Sequence, residues 1–431
     1  MRILMVSEDL PGEQIGGLGK HVVTLANRLL RAGHDVEIVG RSDRAPADYA
    51  AQIGFEGRFR PGFAFPRPGW KESQMGVFNP LKRPLFARRM ARAIRAHAAD
   101  MARTGPVDVV HYHGHLPMTA LYIDAGVNFV QTRHDQGSEC LTHLRFRDGA
   151  VCDNLAPRQC AACIRRDAGP LRQAVSAMAV DDYRRLGARA FARHKTVFVS
   201  AFLRGRFLRA VPEADLSRSR VIHNFIDYPR LQAVLDAVPA PTPGLLLLAG
   251  RIDAGKGFGE FLAVAAGRLP QHASVIVAGD GPLQAALAQR HAGPQVRFAG
   301  WQAYPDVLAL SARAHLCVVP SLCEEACSTT VLEALALGRP CVALARGGTP
   351  ELAQYALYPG QLVLANSMDE LVTLALRRLD EPALQTRSRT TPPASFGADA
   401  ARLLPQLLEL YAEPANVLDH HLHAQQRRHP G

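Results

Sequence analysis

No apolar run in the 431 residues approaches the ~20 that a membrane-spanning helix needs. Aromatic residues make up only 6% of the chain, and the basic residues are spread along it. Neither a base-stacking platform nor a helix-turn-helix pattern emerges, so nucleic acid is not an expected partner. The opening stretch RILMVSE is cut short by Glu8 and Asp9, too soon for a secretory leader. It reads as a first strand, and a cytoplasmic location is the expectation. Charged residues are scarce enough, at 21% against 48% hydrophobic, to exclude a disordered chain.

What is present begins with length, which predicts two or three domains with cores of their own. Short apolar strands alternate with helices: residues 2–7, 35–41, 107–113, 129–134, 196–200 and 221–223 read as strands, and helix 20–32 is the clearest of those between them. The alternation restarts after a Pro-rich stretch at residues 237–244. Strands are then expected at 245–249, 273–278, 296–299, 314–319, 340–344 and 361–365. Such β-α-β order implies two doubly wound α/β domains, at residues 1–236 and 245–392, facing across a cleft that receives the ligand. A further amphipathic helix (393–412) and a disordered tail (413–431) follow. His420, His421 and His423 in that tail offer adventitious metal ligands.

The net charge of +11 suggests an anionic partner. Its densest basic run is residues 82–103, from Lys82 to Arg103. There Phe86, Met90, Ile94, His97 and Met101 recur at helical spacing while Arg88, Arg89, Arg92 and Arg95 crowd the other faces. Two readings stay open: a solvated surface helix, or a basic amphipathic helix on an anionic membrane.

The most informative stretch is VVPSLCEEACSTTVLEALALGRPCVALARGGTPE. A buried strand turns at Pro320-Ser321, presents Glu324-Glu325, and enters a helix through Ser328, Thr329 and Thr330. Glu333 stands eight positions after Glu325, in the second turn of that helix. A helix N-terminus offers unpaired N–H groups and partial positive charge to a phosphate or a sugar hydroxyl. Gly338, Pro340 and the Gly347-Gly348 turn before Glu351 complete the pattern. An isolated E-x7-E is most often two surface glutamates; the ordered surroundings make this one specific.

Upstream, AGRIDAGKG satisfies a Walker A loop except at its last position, where Gly257 replaces the Ser or Thr that would hold Mg²⁺. This disfavours a nucleotide hydrolase. The GGLGK loop at Gly16, Gly17 and Gly19 lacks the spacing of a dinucleotide fingerprint, and glycines there let backbone amides approach an anion. Gly279 with Gly281 and Phe298 in VRFAG mark two further turns, and QTRHD ends a strand at His134.

Taken in order, these elements resemble the retaining glycosyltransferases of family 4, which include glycogen-synthase-like enzymes and have the GT-B fold. The resemblance implies that Arg251 and Lys256 grip the leaving diphosphate and that Glu325 contacts the donor sugar. It gives Glu333 the ribose hydroxyls, and the backbone at Cys327, Ser328 and Thr329 the sugar or diphosphate. Gly16 and Gly17 would face the donor diphosphate, Gly250 and Gly279 would line the donor site, and Phe298 would lie near the nucleobase. It places His134 near the donor sugar and acceptor, though a structural role is the alternative; His113 and His115 would line the acceptor site. Two departures stand out: Glu325-Ala326-Cys327 lacks the Phe-Gly that often follows the first Glu, and Phe225 replaces the usual Gly of the hinge element beside Asn224.

The expected reaction moves a sugar from a nucleoside-diphosphate donor to a saccharide, lipid-linked or small-molecule hydroxyl, with no cofactor required for catalysis. A sugar-nucleotide epimerase and a catalytically silent partner protein are the rival readings. Cys140, Cys152, Cys160 and Cys163, spaced C-x11-C-x7-C-x2-C, read either as a structural zinc site or as free thiols or a disulfide. A similar Cys-rich insertion occurs in a subset of the family. Cys317, Cys323, Cys327 and Cys341 read as packing residues.

Overall fold

The computed structural model describes residues 1–10, 16–42, 49–63, 81–164, 169–380 and 396–415. Two compact units emerge: residues 1–144, 153–223 and 403–431 form one, and residues 145–152 and 224–402 the other. The stretch at 385–395 and the His-rich tail beyond 415 lie outside the described residues.

In the first unit the chain runs β1 (Arg2–Ser7), α1 (Gly17–Arg31), β2 (Asp35–Arg41), α2 (Tyr49–Gln52), β3 (Arg58–Phe63), α3 (Arg83–Ala102), β4 (Val109–His113) and β5 (Phe129–Arg133). A small hairpin of β6 (Phe146–Arg147) and β7 (Ala150–Val151) follows, then α4 (Pro157–Ile164), α5 (Pro170–Arg193), β8 (Lys195–Phe198), α6 (Ala201–Ala210) and β9 (Ser219–Val221). The second unit continues with α7 (Tyr228–Ala237), β10 (Thr242–Ala249), α8 (Phe258–Ala265), β11 (Ser274–Ala278), α9 (Gln284–His291), β12 (Val296–Gly300), α10 (Tyr304–Arg313) and β13 (Ala314–Val319). It closes with α11 (Thr329–Ala336), β14 (Cys341–Leu344), β15 (Leu362–Ala365) and α12 (Met368–Asp380), before α13 (Ala400–Ala412).

The first sheet has the order β3-β2-β1-β4-β5-β8-β9 and the second β12-β11-β10-β13-β14-β15. Every pairing in these two sheets is parallel. Strands covered on both faces need continuous apolar runs. β10 meets that need with Leu245–Leu248 and β13 with AHLCVV, buried throughout. Phe261 and Leu262 of α8 and Leu371, Val372 and Ala375 of α12 seal the second core. In the first unit, Met90, Ala91, Ile94 and Met101 of α3 pack against Leu4, Val6, Val110 and Tyr112.

The chain leaves the first unit after His223, ahead of the Pro-rich stretch at which the sequence suggests a boundary. Helix α7 explains this, because it packs on α10 and α11 of the second unit. Gly244 within the Pro-rich stretch is already part of β10. Strand β3 is not anticipated by the sequence. Its Arg58 and Arg60 and its internal Pro61 hide the pattern, and an edge strand tolerates all three because only one side is hydrogen-bonded. Arg60 is held by the carboxylates of Glu37 and Asp100.

Helix α13 belongs with the first unit from Leu403 onward. Its last turn is anchored by Lys195, whose buried ammonium donates to Asn128 Oδ1 at 2.8 Å and to the carbonyls of Leu410 at 2.8 Å and Tyr411 at 3.3 Å. The Tyr411 hydroxyl meets His111 Nδ1 at 2.6 Å. These are helix-end carbonyls that would otherwise have no partner. Lys195→Met should therefore lower stability by about 2–3 kcal/mol in urea unfolding, because it orphans several acceptors at once.

Candidate active site

Doubly wound sheets bind ligands where the strand order reverses, outside the carboxyl ends of the strands. In the second sheet this point lies between β10 and β13, and the predicted motifs flank it. After β10 the chain turns at Gly250, whose φ of 146° favours glycine. Gly279 is forced as well: a Cβ there would sit 1.8 Å from the Gly250 carbonyl oxygen. Asp253 then caps the next turn, its Oδ1 accepting from the amides of Gly255 at 2.9 Å and Lys256 at 3.2 Å.

That turn presents Lys256, whose Nζ lies 2.5 Å from Glu325 Oε1. Ser321 donates to the same oxygen at 2.7 Å. Burial opposes the Lys256 charge, but the facing carboxylate outweighs it and raises the pKa. Glu325 is pushed up by burial and pulled down further by Lys256, so its carboxyl titrates below the usual range. The Glu325 backbone is fixed too: its carbonyl accepts from the Gly348 amide at 2.7 Å. Arg251, by contrast, is two-thirds exposed, with only a 3.4 Å approach to Asp253.

Ser328 sits at the N-cap of α11 and Thr329 opens it. The Cys327 carbonyl accepts from Asn224 Nδ2 at 3.1 Å, giving the hinge asparagine a structural task despite Phe225. Glu333 is buried in α11 and hydrogen-bonds the Tyr304 hydroxyl, whose pKa is raised by burial and by that carboxylate. Phe298 packs against the second core from β12. Thus Gly250, Lys256, Gly279, Glu325, Cys327, Ser328, Thr329 and Glu333 lie in a connected region, with Arg251 at its exposed margin. Tyr304 and Ser321 were not singled out from the sequence. Only the folded contact distinguishes them from an ordinary helix-start tyrosine and a turn serine.

In the first sheet the order reverses between β1 and β4. Gly16 is the N-cap of α1 and Gly17 its first residue. His134 follows β5 and shares a 3.0 Å hydrogen bond with His113 Nδ1, while its ring meets His21 edge-on at 4.9 Å. Burial lowers all three pKa values, that of His21 to about 4, so this group is neutral at pH 7. His115 behaves oppositely. Burial opposes its charge, but Asp135 Oδ2 at 3.2 Å raises its pKa to about 9. Asp135 also accepts from His143 Nδ1 at 3.0 Å, and Arg83 approaches His143 Nε2 at 3.4 Å. His21, Asp135, His143 and Arg83 are recruited by tertiary structure and carry no sequence signal of their own.

Among the described residues, two groups bring three metal-ligand atoms within 4.8 Å of one another: His21 with His113 and His134, and His115 with Asp135 and His143. Neither contains a thiol; Cys140, Cys152, Cys160 and Cys163 are half-buried free cysteines. Arg184 donates to Cys160 Sγ at 3.3 Å, and Cys140 Sγ pairs with Thr142 Oγ1 at 3.3 Å. Cys317, Cys323, Cys327 and Cys341 are all buried, and burial pushes the first three thiols up to about 12, far from reactive thiolates.

The two parallel sheets with flanking helices are the architecture of the GT-B glycosyltransferases. Structures superimposing along 95% of the chain include sucrose-phosphate synthase from Thermosynechococcus elongatus (TM-score 0.63, 19% identity, 98% of that chain). Anabaena HepE in complex with UDP and glucose is a second (TM-score 0.62, 15% identity, 98% of that chain). A glycogen synthase of Mycobacterium tuberculosis is 28% identical over 402 residues, spanning 90% of this chain and 88% of the relative. The sequence model described as Glycosyltransferase Family 4 matches residues 15–230, and that described as Glycosyl transferases group 1 matches residues 243–381. The chain belongs to glycosyltransferase family 4.

Two outcomes follow from the electrostatics. Lys256→Met strands the Glu325 carboxylate in a poorly solvated place. Because the pair is partly open to solvent, the loss should be about 1–2 kcal/mol in urea unfolding, and adding Glu325→Gln should restore most of it. The His115–Asp135 pair has a raised folded-state pKa on the imidazole. Its contribution is complete below pH 6.5 and disappears as pH rises through 9. Unfolding midpoints between pH 6 and 10 should fall across that window in the wild type and less steeply in His115→Gln.

Proposed function

We propose that this glycosyltransferase moves a sugar, with retention of anomeric configuration, from a nucleoside-diphosphate sugar to a hydroxyl acceptor in surface polysaccharide or glycoconjugate biosynthesis. The observation that carries this reading is the Lys256–Glu325 pair at the reversal point of the second sheet, with Arg251 beside it and Glu333 one helix turn into α11. Departure of a nucleoside diphosphate builds negative charge, and two cations stabilise it without a metal. Arg251 and Lys256 take that role. Glu325 receives hydroxyls of the donor sugar, and Glu333 those of the ribose. Amides at the start of α11 add further donors to the sugar or the diphosphate.

The bond from the anomeric carbon to the phosphate oxygen breaks as the acceptor oxygen joins the same face. The acceptor proton passes to the departing phosphate, so no covalent enzyme intermediate forms. His134 supports this assignment of the proton: its imidazole is neutral and weakly basic, suited to holding a hydroxyl by hydrogen bonding. The UDP and glucose bound by Anabaena HepE, and the ADP and acarbose bound by starch synthase IV from Arabidopsis thaliana, support a nucleotide donor and a saccharide-type acceptor. A lipid-linked saccharide is the other acceptor class consistent with the basic helix at residues 82–103.

A thermal-shift series with UDP, GDP, ADP, dTDP and CMP tests the donor site. At 100 times its dissociation constant, the right nucleotide should stabilise the wild type by about 2.7 kcal/mol. Arg251→Ala/Lys256→Ala should lose most of that effect. Absence of stabilisation by every nucleotide would remove the basis for the transfer reading.

A further inference from the structure

Helix α3 turns its apolar residues inward: Met90, Ile94 and Met101 are buried in the first core. Its outward side carries Arg88, Arg89 and Arg92, all exposed, with no acidic partner for any of them among the described residues. Alone, α3 therefore offers charge to a surface but only Leu85 to insert into it. The apolar element comes from its neighbour. On α5, Leu171, Val175 and Met178 are 80%, 42% and 71% exposed, and spacings of four and three place them on one side of the helix. The opposite side of α5 is anchored through Ala177, Val180 and Tyr183, in a core shared with Ala87 of α3. The Arg83 guanidinium, 4.1 Å from the Tyr183 ring centre, locks the two helices together.

The two helices thus share buried cores, one exposing arginines and the other a Leu-Val-Met stripe. Leu85, half exposed and one turn before Arg88 and Arg89, extends the apolar part onto α3. Arginines without acidic partners favour a polyanion, whereas a Leu-Val-Met stripe favours an apolar phase. An anionic lipid bilayer supplies both at once, phosphates for the guanidiniums and acyl chains just beneath for the apolar side chains. A polynucleotide would leave the stripe in water, and an apolar protein groove would leave the arginines unmatched. We propose that this α3–α5 face docks on anionic membrane, with Leu171, Val175 and Met178 entering the headgroup boundary. The inference is independent of the transfer chemistry.

Full-length protein would be sedimented with vesicles of phosphatidylcholine alone and of phosphatidylcholine containing about one-third phosphatidylglycerol. Binding to the anionic vesicles only, weakening as salt is raised, is the expected result. Each of Arg88→Gln, Arg89→Gln and Arg92→Gln should weaken binding roughly fivefold. The triple variant Leu171→Ser/Val175→Ser/Met178→Ser should weaken it roughly tenfold or more, while keeping the wild-type unfolding temperature and nucleotide stabilisation. No sedimentation with anionic vesicles overturns the proposal, as does binding that the triple variant leaves unchanged. A wild-type dimer in size-exclusion chromatography that the triple variant converts to monomer would also overturn it, assigning the face to a second copy of the chain.

Discussion

Parallel pairing is the constraint from which the rest of this protein follows. A parallel strand cannot return by a tight turn, so the chain crosses over through a helix and every strand's carboxyl end opens on the same edge of its sheet. At the positions where the order reverses, consecutive crossovers leave on opposite faces and the loops part. Residues remote in sequence then meet without long excursions of chain. Lys256 and Glu325, 69 positions apart, make a 2.5 Å ion pair because β10 and β13 are neighbours. In the first sheet β1 lies beside β4, and the Glu8 carboxylate accordingly receives the Tyr112 hydroxyl and the His115 amide.

The Lys256–Glu325 pair is self-compensating. A carboxylate placed there alone would be poorly solvated, and so would the ammonium. Each meets the other's electrostatic need while Ser321 and Gly348 hold Glu325 in place. On the proposed reaction, both partners are also the groups that meet the donor: the cation a diphosphate, the anion a sugar hydroxyl. Binding therefore exchanges one set of charge partners for another. It does not require either group to be desolvated from bulk water.

Most of the scaffold was legible in the sequence, because buried parallel strands write continuous apolar runs between helical segments. β1, β2 and β13 could be bounded to the residue. The motifs after β10, β11 and β13 were legible through their resemblance to family 4, and the structure adds the backbone reason for two of them: Gly250 and Gly279 have positive φ. What stayed hidden depends on partners distant in sequence. β3 is an edge strand whose arginine pairs across to Glu37 and Asp100. Tyr304 matters only because α10 starts beside Glu333. The cysteine spacing left two readings open, and its C-x2-C portion forms one turn of α4. There Arg184 claims the Cys160 thiol.

The two histidine groups show how little sequence says about charge. His113 and His115 are separated by a single glycine, yet one is neutral and the other protonated at pH 7. The difference is the neighbour. Burial lowers the pKa of His113 among the imidazoles of His134 and His111, whereas for His115 the Asp135 carboxylate outweighs the same burial. An imidazole in the first environment can hold a hydroxyl through its remaining ring nitrogen but is a poor proton acceptor. If His134 meets the acceptor or donor sugar, its contribution is orientation, and the proton released in transfer must go to a stronger base. The departing phosphate, gaining charge as the glycosidic bond breaks, is such a base at the moment it is needed.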